Sequence, residues 1–142
     1  MTRDRERRIF QRVVAVAGLV PVLAGGAGVL LGMAGLTGDR LSVSADSHFR
    51  YLSGLLLGIG LLFWWTVPRI EEQSSLFRFL TLVVVMGGLA RLSGLFLTGI
   101  PSLAMLGGLG MELAVTPLLC LWQVRVANRA AEETGIADLG GR

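Results

Sequence analysis

Four long apolar stretches dominate the chain, and shorter polar stretches separate them. The apolar stretches cover residues 13–36, 49–67, 76–98 and 103–126. Each is close to the ~20 residues with which an α-helix crosses ~30 Å of hydrocarbon at about 1.5 Å per residue. The first stretch is also longer than the apolar region of a cleaved signal peptide. The pattern therefore predicts an all-α fold, a four-helix antiparallel transmembrane bundle.

Short polar segments complete the predicted organisation. Residues 1–12 are predicted to form a basic cytoplasmic tail, and residues 127–142 a second cytoplasmic tail with frayed structure. The connection of residues 99–102 is uncharged and very short, so the third and fourth helices are expected to form an antiparallel hairpin.

Small residues recur at helical spacing on every predicted helix. Membrane helices associate through small residues, which let backbones approach, and through polar groups that bond across the interface. The stripes are Gly18, Pro21, Gly25, Gly28 and Gly32, then Arg50, Gly54 and Gly58, then Gly87, Arg91, Gly94 and Thr98, then Gly108, Glu112 and Thr116. We expect these faces, and the charges on them, to point into the bundle.

Arginine supplies all of the basic charge, because none of the 13 Lys and Arg residues is Lys. Most arginines flank one side of the predicted helices: Arg3, Arg5, Arg7, Arg8, Arg12, Arg69, Arg78, Arg125 and Arg129. The other side offers Arg40 and Arg50, so both termini are predicted to be cytoplasmic in a bacterial inner (plasma) membrane. Trp64, Trp65 and Trp122 fall at the same predicted inner side, where aromatic rings settle at headgroup level. This distribution fits orientation in a membrane and argues against nucleic-acid binding.

Arg91 and Glu112 lie deep inside two of the apolar stretches. An Arg at the centre of a membrane helix costs roughly 2.5–3.5 kcal/mol, so something must offset it. Counting along the hairpin places the two residues about 12 and 16 Å below its outer end, which allows a bidentate contact. Two interpretations stay open: a structural ion pair that fixes helix register, or the floor of a pocket open to the outer face.

Further polar residues gather where the second helix is predicted to begin. Asp46 or Ser47 suits the N-cap position. His48 is the single histidine and is expected to be solvated or capping, while Tyr51 is expected to be an interfacial aromatic. Arg50 lies on the small-residue stripe, where it would reach down toward the carboxylate of the fourth helix or offer a donor to an anionic ligand. The full candidate set is Asp46, His48, Arg50, Tyr51, Arg91 and Glu112.

The sequence offers little for other chemistry. His48 has no second His or Cys near it in the pattern of a metal site, so we predict no metal and no cofactor. Cys120 is the single cysteine, which excludes a disulfide within the chain. Acidic and basic groups suited to proton transfer are present, namely Glu112, Asp46 and His48, but no nucleophile motif or phosphate loop accompanies them.

These residues give the chain a resemblance to domain of unknown function family 4345, a group of small bacterial membrane proteins distantly similar to DoxX-like four-helix proteins. The resemblance covers roughly the second to fourth helices. It rests on His48-Phe49-Arg50-Tyr51-Leu52-Ser53-Gly54, Gly87-Gly88-Leu89-Ala90-Arg91-Leu92, Gly99-Ile100-Pro101 and Glu112-Leu113. It implies a four-helix integral membrane protein and no established activity.

The leading functional hypothesis is a binding or accessory protein. Its outward-facing polar pocket would accept a lipophilic or amphipathic small molecule or a partner membrane protein. The alternative is a small membrane enzyme, an isomerase or redox accessory factor, with Glu112 and Asp46 as acid/base groups acting on a lipophilic substrate. Expected partners are membrane lipids and, as an open alternative, further copies of the chain.

Overall fold

The computed structural model describes residues 3–38 and 42–140, with side chains over 4–38 and 42–132. Its helices are α1 (Arg3–Thr37), α2 (Val43–Thr66), α3 (Ser74–Thr98), α4 (Leu103–Gly110) and α5 (Thr116–Gly140). A 3-10 turn, Val67–Arg69, follows α2, and a π-helical turn, Met111–Val115, joins α4 to α5. Four stretches are long and apolar enough to cross a membrane: Asp4–Thr37, Val43–Arg69, Ser74–Thr98 and Leu103–Glu132. The predicted all-α class with four membrane-spanning helices is confirmed.

The helices extend beyond the apolar stretches that predicted them. Helix α1 begins at Arg3, so most of the predicted basic tail is helical, and α5 continues to Gly140 where a frayed tail was expected. Helix α2 begins six residues before the predicted start, because the Ser42 side chain caps it by accepting a hydrogen bond from the Ala45 amide at 3.3 Å. The prediction that Asp46 or Ser47 caps α2 was therefore wrong.

The chain divides into two compact units, residues 11–68 and residues 1–10 with 69–142. In the unit of residues 11–68, the glycines of α1 let α2 approach closely. A Cβ atom at Gly25 would lie 2.5 Å from the Leu57 amide nitrogen, and one at Gly28 would overlap the Ser53 hydroxyl. The predicted stripe of α1 is therefore the face that α2 contacts.

The contacting face of α2 differs from the predicted one. No atom lies within 4 Å of a Cβ built at Gly58, whereas one at Gly60 would lie 2.7 Å from the Val22 side chain. The α2 residues that meet α1 recur three or four positions apart, as Asp46, Arg50, Ser53, Leu57, Gly60 and Trp64. This spacing is that of two helices packed side by side over about five turns.

Trp64 lies at the far end of this seam, the contact face between α1 and α2. Its indole Nε1 donates to the Ala15 carbonyl at 2.9 Å, and its ring lies against Gly18. The neighbouring Trp65 is 74% exposed, as an interfacial aromatic would be. Only one of these two tryptophans thus faces outward, and the other anchors α2 on α1.

The second unit has an aromatic core at the start of α3. Phe10, Ile70, Phe77 and Leu80 are buried, and the Phe10 ring lies 5.0 Å from that of Trp122 between centroids. The fully buried Gln123 donates to the Ile70 carbonyl and the Ser74 hydroxyl, each at 2.8 Å. These bonds fasten α5 to the turn before α3.

Buried charges reinforce that core. The Glu6 carboxylate is 5% exposed and is held by Arg125 at 3.3 Å and by Arg129. Arg7 pairs with Glu71 at 2.7 Å. A buried carboxylate is tolerated when paired, and here the pairing joins the first turns of α1 to α5.

The glycine seam predicts a contrast between two adjacent positions of α1. Gly25→Ala should lower the stability by about 1–3 kcal/mol, because its methyl group would meet the α2 backbone. Gly26→Ala is the matched control, since nothing lies within 4 Å of its Cβ position. Thermal unfolding in detergent measures both. Equal melting temperatures for the two variants would show that α2 does not approach α1 at Gly25.

Candidate functional site

Arg91 of α3 and Glu112 of the π-helical turn form a bidentate ion pair. The Arg91 Nε donates to Glu112 Oε2 and its Nη2 donates to Oε1, both at 3.0 Å. Both carboxylate oxygens are thus engaged by one guanidinium group, the geometry that gives such pairs their directionality. The hairpin of α3 with the fourth membrane segment brings together the two residues that the sequence placed at equal depth.

Glu112 is presented by an irregular stretch of helix. The Thr116 amide donates to the Met111 carbonyl, one residue farther back than in an α-helix, and its hydroxyl donates to the same carbonyl at 2.8 Å. Pro117 follows at once, and a proline ring inside an α-helix clashes with the carbonyl four residues before it. The wider turn relieves this clash, and π-turns of this kind are frequent at functional sites.

A close approach at Gly88 holds the two helices together beside the pair. A Cβ atom at Gly88 would lie 2.7 Å from the Leu113 side chain and 2.9 Å from that of Glu112. Gly87 and Gly94, which the sequence pattern placed on the inner face, have nothing within 4 Å of their Cβ positions. The face of α3 that meets the fourth segment therefore includes Arg91 of the predicted stripe, but it contains Gly88 in place of Gly87.

Arg91 retains donors that the protein does not use. Besides its bonds to Glu112, its Nη1 contacts the Met105 sulfur at 2.9 Å, which is a weak acceptor. Two of the five guanidinium N–H groups therefore have no partner among the described residues. The side chain is 36% exposed.

A second arginine–carboxylate pair, Asp46 with Arg50, lies in the other unit. Arg50 Nε donates to Asp46 Oδ2 at 2.7 Å, one turn apart on α2. The pair lies against Gly32 of α1, whose φ of 64° and ψ of −176° interrupt the helix. This backbone conformation is essentially restricted to glycine.

The Asp46–Arg50 pair bonds to the backbone donor and acceptor that the interruption at Gly32 leaves free. In a regular helix the Met33 amide would donate to the Val29 carbonyl, four residues earlier. Here the Met33 amide donates to Asp46 Oδ1 at 3.2 Å, and the Val29 carbonyl accepts from Arg50 Nη1 at 2.7 Å. The pair thus replaces one backbone hydrogen bond of α1 with two bonds to α2. Irregular backbone is tolerated inside a membrane only where such groups are satisfied.

The remaining candidates lie on the outer surface of α2. The rings of His48 and Tyr51 are stacked with centroids 6.4 Å apart, and Tyr51 is 62% exposed. Together with Val43, Ser44 and Ser47 they line an open recess. Across the described residues, no group of three or more His, Cys, Asp or Glu side chains is placed to hold a metal ion.

The six candidate residues fall into two sets that belong to different units. Arg91 and Glu112 pair in one unit, and Asp46 pairs with Arg50 in the other. Arg50, for which a contact with Glu112 was one predicted alternative, bonds to groups of its own unit. A single site built from all of these residues stays a prediction.

Two structural features near the candidate residues were missed by sequence reasoning. The helix interruption at Gly32 gave no signal beyond one glycine among several, although an Asp and an Arg one turn apart on α2 mark its partner. The π-turn had a clearer signal, since Pro117 stands in the interior of the fourth apolar stretch.

A family described as Domain of unknown function (DUF4345) matches residues 9–123. The chain belongs to this family. The match contains both arginine–carboxylate pairs, Gly32 and the π-turn, and it extends over most of α1, which the resemblance read from the sequence did not use. Comparisons with curated proteins and with solved structures give no match.

The Gly32 interruption predicts that Arg50 is more important for stability than an exposed arginine. Arg50→Leu should lower the free energy of unfolding by about 1–3 kcal/mol, because the Val29 carbonyl and the Asp46 carboxylate would lose their partner. Arg78→Leu is the control, since Arg78 is exposed and has no ion-pair partner among the described residues. Denaturation in detergent compares them. A loss no larger for Arg50 than for Arg78 would contradict the replacement of the helix bond.

Proposed function

We propose that this protein is a non-catalytic binding protein of the membrane. The ligand would be an amphipathic small molecule with an oxygen acceptor, and it would bind at the exposed side of Arg91. The observation that carries the proposal is the pair of guanidinium N–H groups that no described residue accepts. Lipid chains offer no acceptor, and a polar group left unsatisfied in hydrocarbon costs several kcal/mol.

The surroundings of Arg91 support a flat or chain-like ligand. Gly94 lies one turn after Arg91 on α3 and has nothing within 4 Å of its Cβ position, so the helix surface beside the charged group is open there. Met105 lies at its edge and is 44% exposed, and its flexible thioether adapts to varied apolar shapes. An oxygen head on Arg91 and an apolar body beside Gly94 would match the surface.

The enzyme alternative has less support. Both oxygens of Glu112 accept from Arg91, and both oxygens of Asp46 accept from Arg50 and the Met33 amide. A carboxylate offers about four lone-pair sites, and on each of these two carboxylates the protein occupies two of them. The two carboxylates proposed as acid/base groups are thus each committed to an arginine of their own unit.

The binding proposal is tested on protein purified in mild detergent, with native mass spectrometry and solvent extraction. The wild-type protein should retain an amphipathic molecule that Arg91→Lys loses, because lysine keeps the charge but not the guanidinium fork. Arg78→Lys should retain it. Gly94→Leu should also lose it while keeping the melting temperature, because the new side chain fills the open surface without touching the ion pair.

Retention of the molecule by both Arg91→Lys and Gly94→Leu would refute the proposal. Copurification of a membrane protein instead of a small molecule would favour the partner-binding alternative. If Glu112→Gln folds normally and abolishes a measurable turnover, the enzyme alternative takes precedence.

We also propose a location and orientation for the chain. The four apolar spans and the cluster of arginines at one end support a bacterial plasma membrane with both termini in the cytoplasm. The distant relation to DoxX-like proteins is part of the same proposal.

Cysteine labelling tests the orientation in whole cells, in a Cys120→Ala background. Ser44→Cys should react with a membrane-impermeant maleimide, and Ser75→Cys should react only after the membrane is opened. Both positions are exposed, and Ser75 is preferable to Ser74, whose hydroxyl accepts from Gln123. Labelling of Ser75→Cys in intact cells would overturn the orientation.

A further inference from the structure

Three exposed arginines form a line along the first turns of α1. Arg5, Arg8 and Arg12 are separated by three and four residues, so at about 100° per residue they fall within roughly 60° of one another. Glu6 and Phe10 of the same helix point to the opposite side and are buried. We call Arg5, Arg8 and Arg12 the arginine line.

The arginine line differs from the other arginines near it. Arg7 pairs with Glu71, and Arg125 and Arg129 hold Glu6, so those charges are neutralised within the protein. The arginine line has no carboxylate partner among the described residues; Arg8 Nε donates only to the Asp4 backbone carbonyl, at 3.2 Å. Its three positive charges are therefore available to an external anion.

The position of the arginine line along α1 indicates which anion it meets. The apolar stretch begins at Val13, and at about 1.5 Å per residue Arg12, Arg8 and Arg5 lie about 1.5, 7.5 and 12 Å before it. The headgroup layer on each side of the hydrocarbon is about 5–8 Å thick. Arg12 therefore lies within that layer, Arg8 at its outer edge, and Arg5 about 4 Å beyond it, a distance that a long arginine side chain can span.

We propose that the arginine line binds the phosphates of anionic phospholipids. Guanidinium groups match phosphate oxygens bidentately and stay charged at every working pH. Three of them along one helix face, none of them paired with a carboxylate of the described residues, favour lipids that carry a net negative charge over zwitterionic ones. This proposal concerns lipids of the leaflet at the arginine-rich end and does not depend on the ligand of Arg91.

Titration of the full-length protein in detergent tests the proposal. Phosphatidylglycerol and phosphatidylcholine are added, and bound lipid is counted by native mass spectrometry. Wild-type protein should prefer phosphatidylglycerol, and this preference should weaken as salt is raised. Each Arg→Gln substitution in the arginine line should weaken phosphatidylglycerol binding about fivefold, and the triple variant about 100-fold.

Two further variants separate lipid binding from changes in the fold. The triple Arg→Lys variant keeps the charge and should keep the preference for phosphatidylglycerol. Asp4→Asn should strengthen binding, because it removes an exposed negative charge beside the line. The melting temperature in lipid-free detergent should be unchanged in all of these exposed variants. A triple Arg→Gln variant that folds and still prefers phosphatidylglycerol as strongly as wild type would overturn the proposal, as would weaker binding by Asp4→Asn.

Discussion

The exchange of one backbone hydrogen bond at Gly32 for two bonds to α2 governs the unit of residues 11–68. A membrane helix is stable because its peptide groups bond to one another, and an interrupted helix leaves a donor and an acceptor exposed to hydrocarbon. Asp46 accepts from the free amide and Arg50 donates to the free carbonyl. The unpaired backbone groups and the buried charges thus satisfy one another. The glycine seam then brings α2 close enough for these bonds to form.

The Arg91–Glu112 pair likewise satisfies two charges inside membrane-spanning segments. Arg91 and Glu112 neutralise each other across a hairpin. Glu112 lies within the π-helical turn that precedes Pro117. Arg50 and Arg91 each keep two guanidinium N–H groups without a partner among the described residues. Of the three bonds that Arg91 makes, one goes to the Met105 sulfur, a weak acceptor. The chain thus holds two arginine–carboxylate pairs, one in each unit.

The sequence predicted the features that depend on composition along the chain. It predicted less well which residues of each helix face a neighbouring helix, because that depends on the rotation of the helix about its axis. Apolar length gave the four spans, and hairpin counting gave the pairing partners Arg91 and Glu112. The predicted faces of α2 and α3 were right for Arg50 and Arg91 but wrong for Gly58 and Gly87, because Gly60 and Gly88 make the close contacts. Lipid and protein interior are both apolar, so a membrane helix has no polar face to reveal its rotation, and glycine occurs on both sides. The cap of α2 and the interruption at Gly32 depend on tertiary contacts that no local pattern specifies.

The interruption at Gly32 also attaches the last residues of α1 to the start of α2. Beyond Gly32, the last turn of α1 has lost a bond to its own helix, and its Met33 amide is tied to Asp46 of α2. A displacement of the start of α2 would therefore carry residues 33–37 with it, while the long segment before Gly32 stays in place. Gly32 is thus the point at which α1 would bend, and the hydrogen bond from the Met33 amide to Asp46 would couple that bending to α2.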